Sequence, residues 1–305
     1  MNFQVAGNVL NSAEGMPELL GAMAPQHGFQ WDGHLEHQLS SASADRMWAS
    51  VKALSARRPA IPVAVAGIAG GFAIYRDEAA LISFAREVGT TRTLTDDDID
   101  ELEHFYASRG FPVRIWISDR TDPSALRILL GRGYVAHAPI QTWWRPLQTE
   151  FLPKADAIEI VTVSPENTAA WTSTVAAGFM EQGHVVKAEE LPEAALDVYF
   201  ALGCAPGDQA LLARRKGEYV GGAVLTAFEE IAMLRTASTR FVHRNSGVHQ
   251  SLIAARLRMA TQQGARVAVT QTPTQGPSAH NVVKFGFRPL RVGYIVEKSI
   301  IGCEA

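Results

Sequence analysis

A chain of 305 residues is long for one average domain and suits two of about 150 residues each. With 47% hydrophobic and 19% charged residues it can bury a sizeable core. Its net charge of -3 excludes a general electrostatic grip on nucleic acid or on an anionic membrane, while leaving room for a local basic site that holds a phosphate.

The opening Met1-Asn-Phe-Gln-Val5 lacks the positive region of a secretory signal. Cys204 and Cys303 lie far apart without metal-ligand spacing, which is the usage of a reducing compartment. The longest uncharged run, Ala60 to Tyr75, is shorter than the ~20 residues of a spanning helix. The expectation is a soluble, cytoplasmic protein with no membrane partner. Residues 1 to 32 carry no pattern that assigns an element.

Apolar positions at Leu35, Leu39, Met47, Val51 and Leu54 predict a helix over 33–57. His34 and His37, with Asp32 nearby, have a spacing that can chelate a metal, but no third and fourth ligands follow, so an exposed helix start is the better reading. Pro62, Gly67, Gly70 and Gly71 divide 60–75 into strand, turn and strand. The acids of Thr95-Asp-Asp-Asp98 suit a helix N-terminus better than a metal site. A helical stretch then ends at Gly110, the strand Val113 to Ser118 follows, and a loop and short helix lead to Gly133-Tyr134. The strand around Trp143, Trp144 and Arg145 comes last, its tryptophans expected to pack the first half.

The same order returns later in the chain. A helical stretch ends at Gly264, the strand Arg266 to Thr270 follows, and a short helix leads to Gly286-Phe287 and the strand Gly293 to Lys298. Gly110 and Gly264 are 154 apart and Gly133 and Gly286 are 153 apart, an offset that implies two copies of one fold. The boundary is expected within 148–157, which gives a first domain of 1–150 and a second of 155–305. The second copy reads as strand 158–163, helices 165–179 and 188–202, and a hairpin of 209–215 with 219–225 turned at Lys216-Gly217-Glu218. Strand 231–239 and helix 248–263 follow, Trp171 falling in the core of its helix and Glu229 and Glu230 on a solvated turn. The class is α/β (α+β), a mixed and mostly antiparallel sheet flanked by helices in each copy.

Between strand 231–239 and helix 248–263 runs Arg244-Asn-Ser-Gly247-Val-His249. A helix N-terminus offers unpaired amides and partial positive charge, glycine permits close approach of a ligand, and arginine adds a two-pronged phosphate donor. By itself this is also an ordinary helix cap. The segment resembles the acetyl-CoA-binding motif of the GCN5-related N-acetyltransferase (GNAT) superfamily, Arg/Gln-x-x-Gly-x-Gly/Ala, through Arg244 and Gly247, with His249 replacing the final small residue. Ser278, Asn281 and Gly286-Phe287 continue the likeness, which covers about 158–300.

The resemblance implies two tandem GNAT-like domains and acetyl-CoA as co-substrate, without a metal. The amides of Asn245, Ser246, Gly247, Val248 and His249 would cradle the pyrophosphate, and the strand ending Ala237-Ser238-Thr239 would pair with the pantetheine arm. Asn281 would lie on the coenzyme's other side, beyond a strand that splays from its neighbour. The tyrosine acid common in the family would stand where Val282 does, so it does not carry over, and the catalytic residues stay unassigned. His243, His249 and His280 lie near the coenzyme segment as packing or phosphate-side residues rather than as bases.

In the first copy the matching loop is Thr90-Thr-Arg-Thr93-Leu-Thr95, with no glycine and with acids following, so coenzyme binding is expected only in the second. The leading expectation is an N-acetyltransferase acting on a small-molecule primary amine by direct transfer in a ternary complex. The rival is a non-catalytic acyl-CoA-binding or sensory module. A nucleotide-binding α/β protein fits the element order less well.

Overall fold

The computed structural model describes residues 30–76, 82–147 and 158–299. The expected boundary at 148–157, the unassigned first 29 residues and Cys303 lie outside these. The first half runs α1 (Gly33–Arg57), β1 (Val63–Ile68), β2 (Gly71–Arg76), β3 (Ala85–Arg86), α2 (Asp96–Ala107), β4 (Val113–Ser118), α3 (Pro123–Gly131), β5 (Val135–Ala136) and β6 (Ile140–Pro146). The second runs β7 (Glu159–Thr162), α4 (Thr168–Met180), α5 (Glu193–Gly203), β8 (Asp208–Arg215), β9 (Glu218–Phe228), β10 (Ile231–Thr239), α6 (Val248–Gln262), β11 (Val267–Pro273), α7 (Pro277–Lys284) and β12 (Arg288–Lys298). No helix of the described residues is long and apolar enough to cross a membrane.

The glycine repeat has one local cause. Gly110, Gly133, Gly264 and Gly286 all adopt positive φ, between 64° and 86°, just past the ends of α2, α3, α6 and α7. After each, the next amide reaches back five residues: Phe111 to Tyr106, Tyr134 to Leu129, Ala265 to Ala260 and Phe287 to Val282, all at 3.1 Å. This closes a helix end in a left-handed turn that an L side chain resists. Two further matching turns join β1 to β2 at Ala69-Gly70 and β8 to β9 at Lys216-Gly217, with positive φ at both positions of each. At the other end of α1, Asp32 accepts from the Leu35 amide at 2.9 Å, while His34 and His37 stand exposed.

The strands form one sheet, ordered β1-β2-β3-β4-β12-β6-β11-β10-β9-β8-β7, with β5 against β12. The last strand of each half therefore sits in the other. β6 pairs antiparallel with β11, from Val267↔Pro146 to Pro273↔Ile140. β12 begins against β6 at Arg288↔Trp144, shifts register between Pro289 and Arg291, and ends against β4 from Gly293↔Ser118 to Lys298↔Val113. This exchange sets both tryptophans at the seam between the halves. Trp143 donates to Thr272 Oγ1 at 2.8 Å, and Trp144 packs with Ile231, Met233, Val267 and Val269 of the second half and with Trp31, Leu35 and Leu39 of the first. Trp171 is fully buried within α4, as its helical position implied.

Helix α1 joins the halves from one side of the sheet. Met47, Val51 and Leu54 pack on Ile74 and Trp116 of the first half and on Val198 and Ala201 of α5. Arg57 and Arg58 both reach Asp197 of α5, at 2.5 and 2.6 Å.

The exchanged strand offers a direct test at Gly293, where an added Cβ would stand 2.3 Å from a Trp116 ring carbon and 2.9 Å from the Ile117 carbonyl oxygen. Gly293→Ala should destabilise the whole protein by about 1–3 kcal/mol in denaturant titration, as overpacking does. Residues 1–150 and 155–305 produced separately should each lack a cooperative melt, because each lacks a sheet partner that the other supplies.

Candidate functional site

The second half opens where two parallel strands part. β10 and β11 pair from Ile231↔Val267 to Leu234↔Thr270, and beyond that point the ladder ends although both strands continue. On its other side β10 loses register with β9 between Arg235 and Ser238, and Thr236 takes a positive φ of 46°. Thr236 and Ala237 thus leave the ladder at the bulge, where they line a cavity of about 430 Å³ between the splayed strands. α6 contributes His249 and Ile253 to its lining, α7 contributes Val282, and the first half contributes Trp116 and Arg86.

α6 begins directly beyond β10. Its N-cap, Gly247, has φ +83°, and an added Cβ there would meet nothing within 4 Å. Asn245 also takes a left-handed φ of 59°. Among the described residues no acceptor takes the backbone amides of Asn245 to Gln250, and the first bonded amide, Ser251, donates to the Gly247 carbonyl at 2.9 Å. These are free donors at the positive end of a helix of 15 residues. Val248 anchors the turn in the core beside Val220 and Leu252.

The other residues of the sequence motif take varied posts. Arg244 donates to the carbonyls of Gly178 and Glu181 at 3.0 and 2.7 Å, so its guanidinium braces the end of α4 and leaves the open amides as the loop's free donors. Ser246 Oγ donates to the His243 carbonyl at 2.6 Å. Ser238 is buried and donates to Val175 at 3.0 Å, and Thr239 pairs with Gly221 of β9. Asn281 accepts from Gln250 Nε2 and lies 3.0 Å from His249 Nδ1, tying α7 to the first turn of α6. Only Ala237 and His249 of this set line the cavity.

Neither a family profile nor a curated protein matches this sequence. Solved structures do. A GCN5-related N-acetyltransferase from Kribbella flavida superposes with a TM-score of 0.60 at 15% identity, over 84% of this chain and 95% of that one. A tandem GNAT protein from the clavulanic acid biosynthesis pathway superposes with a TM-score of 0.56 at 14% identity, over 83% of this chain and 93% of that one. This chain has the tandem GNAT fold.

Within this tandem GNAT fold the N-termini of the matching helices α2 and α6 are unlike. In the first half Thr95 caps α2 and Asp98 returns the bond to the Thr95 amide at 2.9 Å, a reciprocal capping box. Arg92 clamps the same carboxylate with two donors, at 2.5 and 2.6 Å, and so holds Asp98 well below the usual carboxylate range. An ionised carboxylate therefore occupies the place that an anionic ligand would take. This agrees with the N-terminal cap expected of the Thr95–Asp98 run.

Sequence reading missed the arginines of the cavity. Arg235 continues an apolar strand and Arg256 lies in an apolar helix, and a guanidinium within a buried run is the signal that marks them. Glu229 and Glu230 stand at the β9–β10 turn, where Glu230 pairs with Arg266 at 2.9 Å, far from a role at the splay. His249 is half-buried on the first turn of α6, at the cavity wall. That burial, reinforced by the nearby charge of Arg256, pulls its imidazole down to about 4. Because Asn281 Oδ1 is taken by Gln250, its amide nitrogen faces His249 Nδ1, which leaves the neutral ring's proton on Nε2. His249 is then a hydrogen-bond donor at neutral pH and not a base.

The sign of its effect on stability follows. Unfolded chains take up this proton near 6.5 and the folded protein only near 4, so protonation favours unfolding between those values. Wild-type stability should fall as pH drops from 6.5 to 4, and His249→Gln should remove that share of the slope in melts taken across the range.

Proposed function

We propose that this protein is an N-acyltransferase that moves an acetyl group from acetyl-CoA to the primary amine of a small molecule, with one coenzyme site, in the second half. The observation that carries the reading is the contrast between the helix ends: α6 presents unbonded amides beside a splay, and α2 is filled by its own Asp98. The open space above Gly247 suits a pyrophosphate, which the amides of Asn245 to His249 would hold. The edge of Ala237, Ser238 and Thr239 that faces away from β9, past the end of the β10–β11 ladder, would run alongside the pantetheine arm, and Asn281 holds the α6 turn in place. The two-domain reading, 1–150 and 155–305, assigns the first copy to support and to the acceptor side.

The chemistry asks little of the chain. The amine nitrogen bonds to the thioester carbonyl carbon, the C–S bond breaks, the nitrogen loses a proton to water, and the thiolate leaves with the bond's electron pair. Amides freed from the ladder at Thr236 and Ala237 are suited to the oxyanion that develops on the way. Direct transfer requires neither a metal nor a covalent intermediate on the protein. We place this activity in the cytoplasm, on the wide spacing of Cys204 and Cys303, which is the usage of a reducing compartment.

A second reading, a non-catalytic acyl-CoA sensor, draws on Val282, which lines the cavity where an acid could have stood, and on a His249 that does not serve as base. Calorimetric titration should find one acetyl-CoA per chain, and two equivalent sites would contradict the division between the halves. Gly247→Val, which forces a branched side chain into φ +83° and into the open space, should weaken acetyl-CoA binding about tenfold or more. Release of free coenzyme A thiol above background hydrolysis with a panel of amines supports the enzyme. Tight binding with silence across the panel supports the sensor.

A further inference from the structure

The cavity carries more positive charge than its walls neutralise. Six guanidinium groups line it, those of Arg46, Arg86, Arg120, Arg235, Arg256 and Arg291. Arg120 and Arg291 meet Glu87 and Glu36, and Arg46 and Arg235 share Asp208 at 3.1 and 3.7 Å. Arg256 lies against the carbonyls of Leu252, Val224 and Arg235.

Arg86 is different. Among the described residues it makes no ion pair and its guanidinium has no hydrogen-bond acceptor, and its Nε is sealed from solvent. Its guanidinium carbon rests 4.9 Å from the centre of the Phe84 ring and 5.3 Å from that of Trp116, which fixes the plane of the fork. Burial, with a lesser push from Arg235 against the pull of Glu87, brings it down to about 10, so it stays cationic at neutral pH. A half-buried cation with a sealed Nε and no ion pair is unfavourable for the folded chain, and it is tolerated where a ligand supplies the counter-charge. Arg86 ends β3 of the first half and lines the same cavity as the α6 residue His249.

We propose that the acceptor is an amine whose far end carries a carboxylate, and that Arg86 receives that carboxylate in a two-pronged pair. This inference rests on the acyltransferase reading and gives the first half a direct part in the acceptor site. A carboxylate meets the planar fork with two parallel bonds, and Arg235, whose charge acts on Arg86 and which lines the same cavity, adds attraction for the same anion. The amine end then points back to the splay at Thr236 and Ala237, while the carboxylate takes no part in bond making.

The test uses the full chain loaded with coenzyme A and a set of probes, the protein amino acids and β-alanine, each against its own carboxamide. Binding is followed by calorimetry, and turnover with acetyl-CoA by thiol release. At least one acid should bind and exceed its carboxamide by about tenfold to a hundredfold, the range of a charge-assisted pair. Arg86→Gln should abolish that preference, Arg86→Lys should restore part of it, and acetyl-CoA affinity should hold in both. Relief of the unpaired charge should leave the melting temperature of ligand-free Arg86→Gln at or above that of the wild type. Carboxamides bound as well as acids, a preference that survives Arg86→Gln, or no acid bound at all would each overturn the proposal. Failure of acetyl-CoA to bind the wild type would instead strike the acyltransferase reading, and acid binding to the unloaded chain would still report on Arg86.

Discussion

Backbone amides and carbonyls at the edge of a sheet must find partners, and here the last strand of each half finds them in the other half. β6 lies on β11 and β12 lies on β4, so neither copy completes its sheet alone. This exchange sets the relative position of the halves more firmly than side-chain packing alone could, since a register shift of one residue would turn Trp143, Trp144 and Val296 to the wrong faces. Everything that gathers around the cavity depends on it. Trp116 and Arg86 of the first half reach the splay of the second because the joined sheet carries them there.

Two copies of one fold have solved the same electrostatic problem in opposite ways. A helix N-terminus needs a negative or polar partner. α2 takes its own, with Thr95 and Asp98 closing the box and Arg92 holding the carboxylate ionised. α6 keeps its amides free, and Gly247 keeps the space in front of them open. The difference comes down to a few side chains on an otherwise repeated frame. It divides the labour between a half that is suited to hold a phosphate and a half that brings Arg46, Arg86 and Arg120 to the cavity's cationic face.

That face has an internal logic of its own. Among the described residues, five of the six guanidinium groups that line the cavity lean on carboxylates or carbonyls, and Arg86 leans on aromatic rings alone. Rings hold a cation in place without neutralising it. The cavity therefore keeps a directed positive charge, which is free to meet an anion.

Local physics was legible in the amino-acid sequence. The spacing of Leu35, Leu39, Met47, Val51 and Leu54 located α1, and the glycines at 110, 133, 264 and 286 exposed the repeat because each ends a helix in a conformation that glycine favours. The loop at Arg244–His249 was visible for the same reason, since Gly247 and the helix behind it are neighbours in the chain. Strand exchange was invisible, because the hydrophobic pattern of β6 and β12 suits either half equally and only the closed sheet selects the partner. The cavity's arginines were equally hidden. Arg86 and Arg235 stand 149 positions apart, and a charge in an apolar run says that something must meet it without saying what. The sequence by itself determined the repeated elements and the open turn before α6, which short-range backbone chemistry dictates. Tertiary structure alone decided which strands pair and which charges share the cavity, because both are set by residues that only folding brings together.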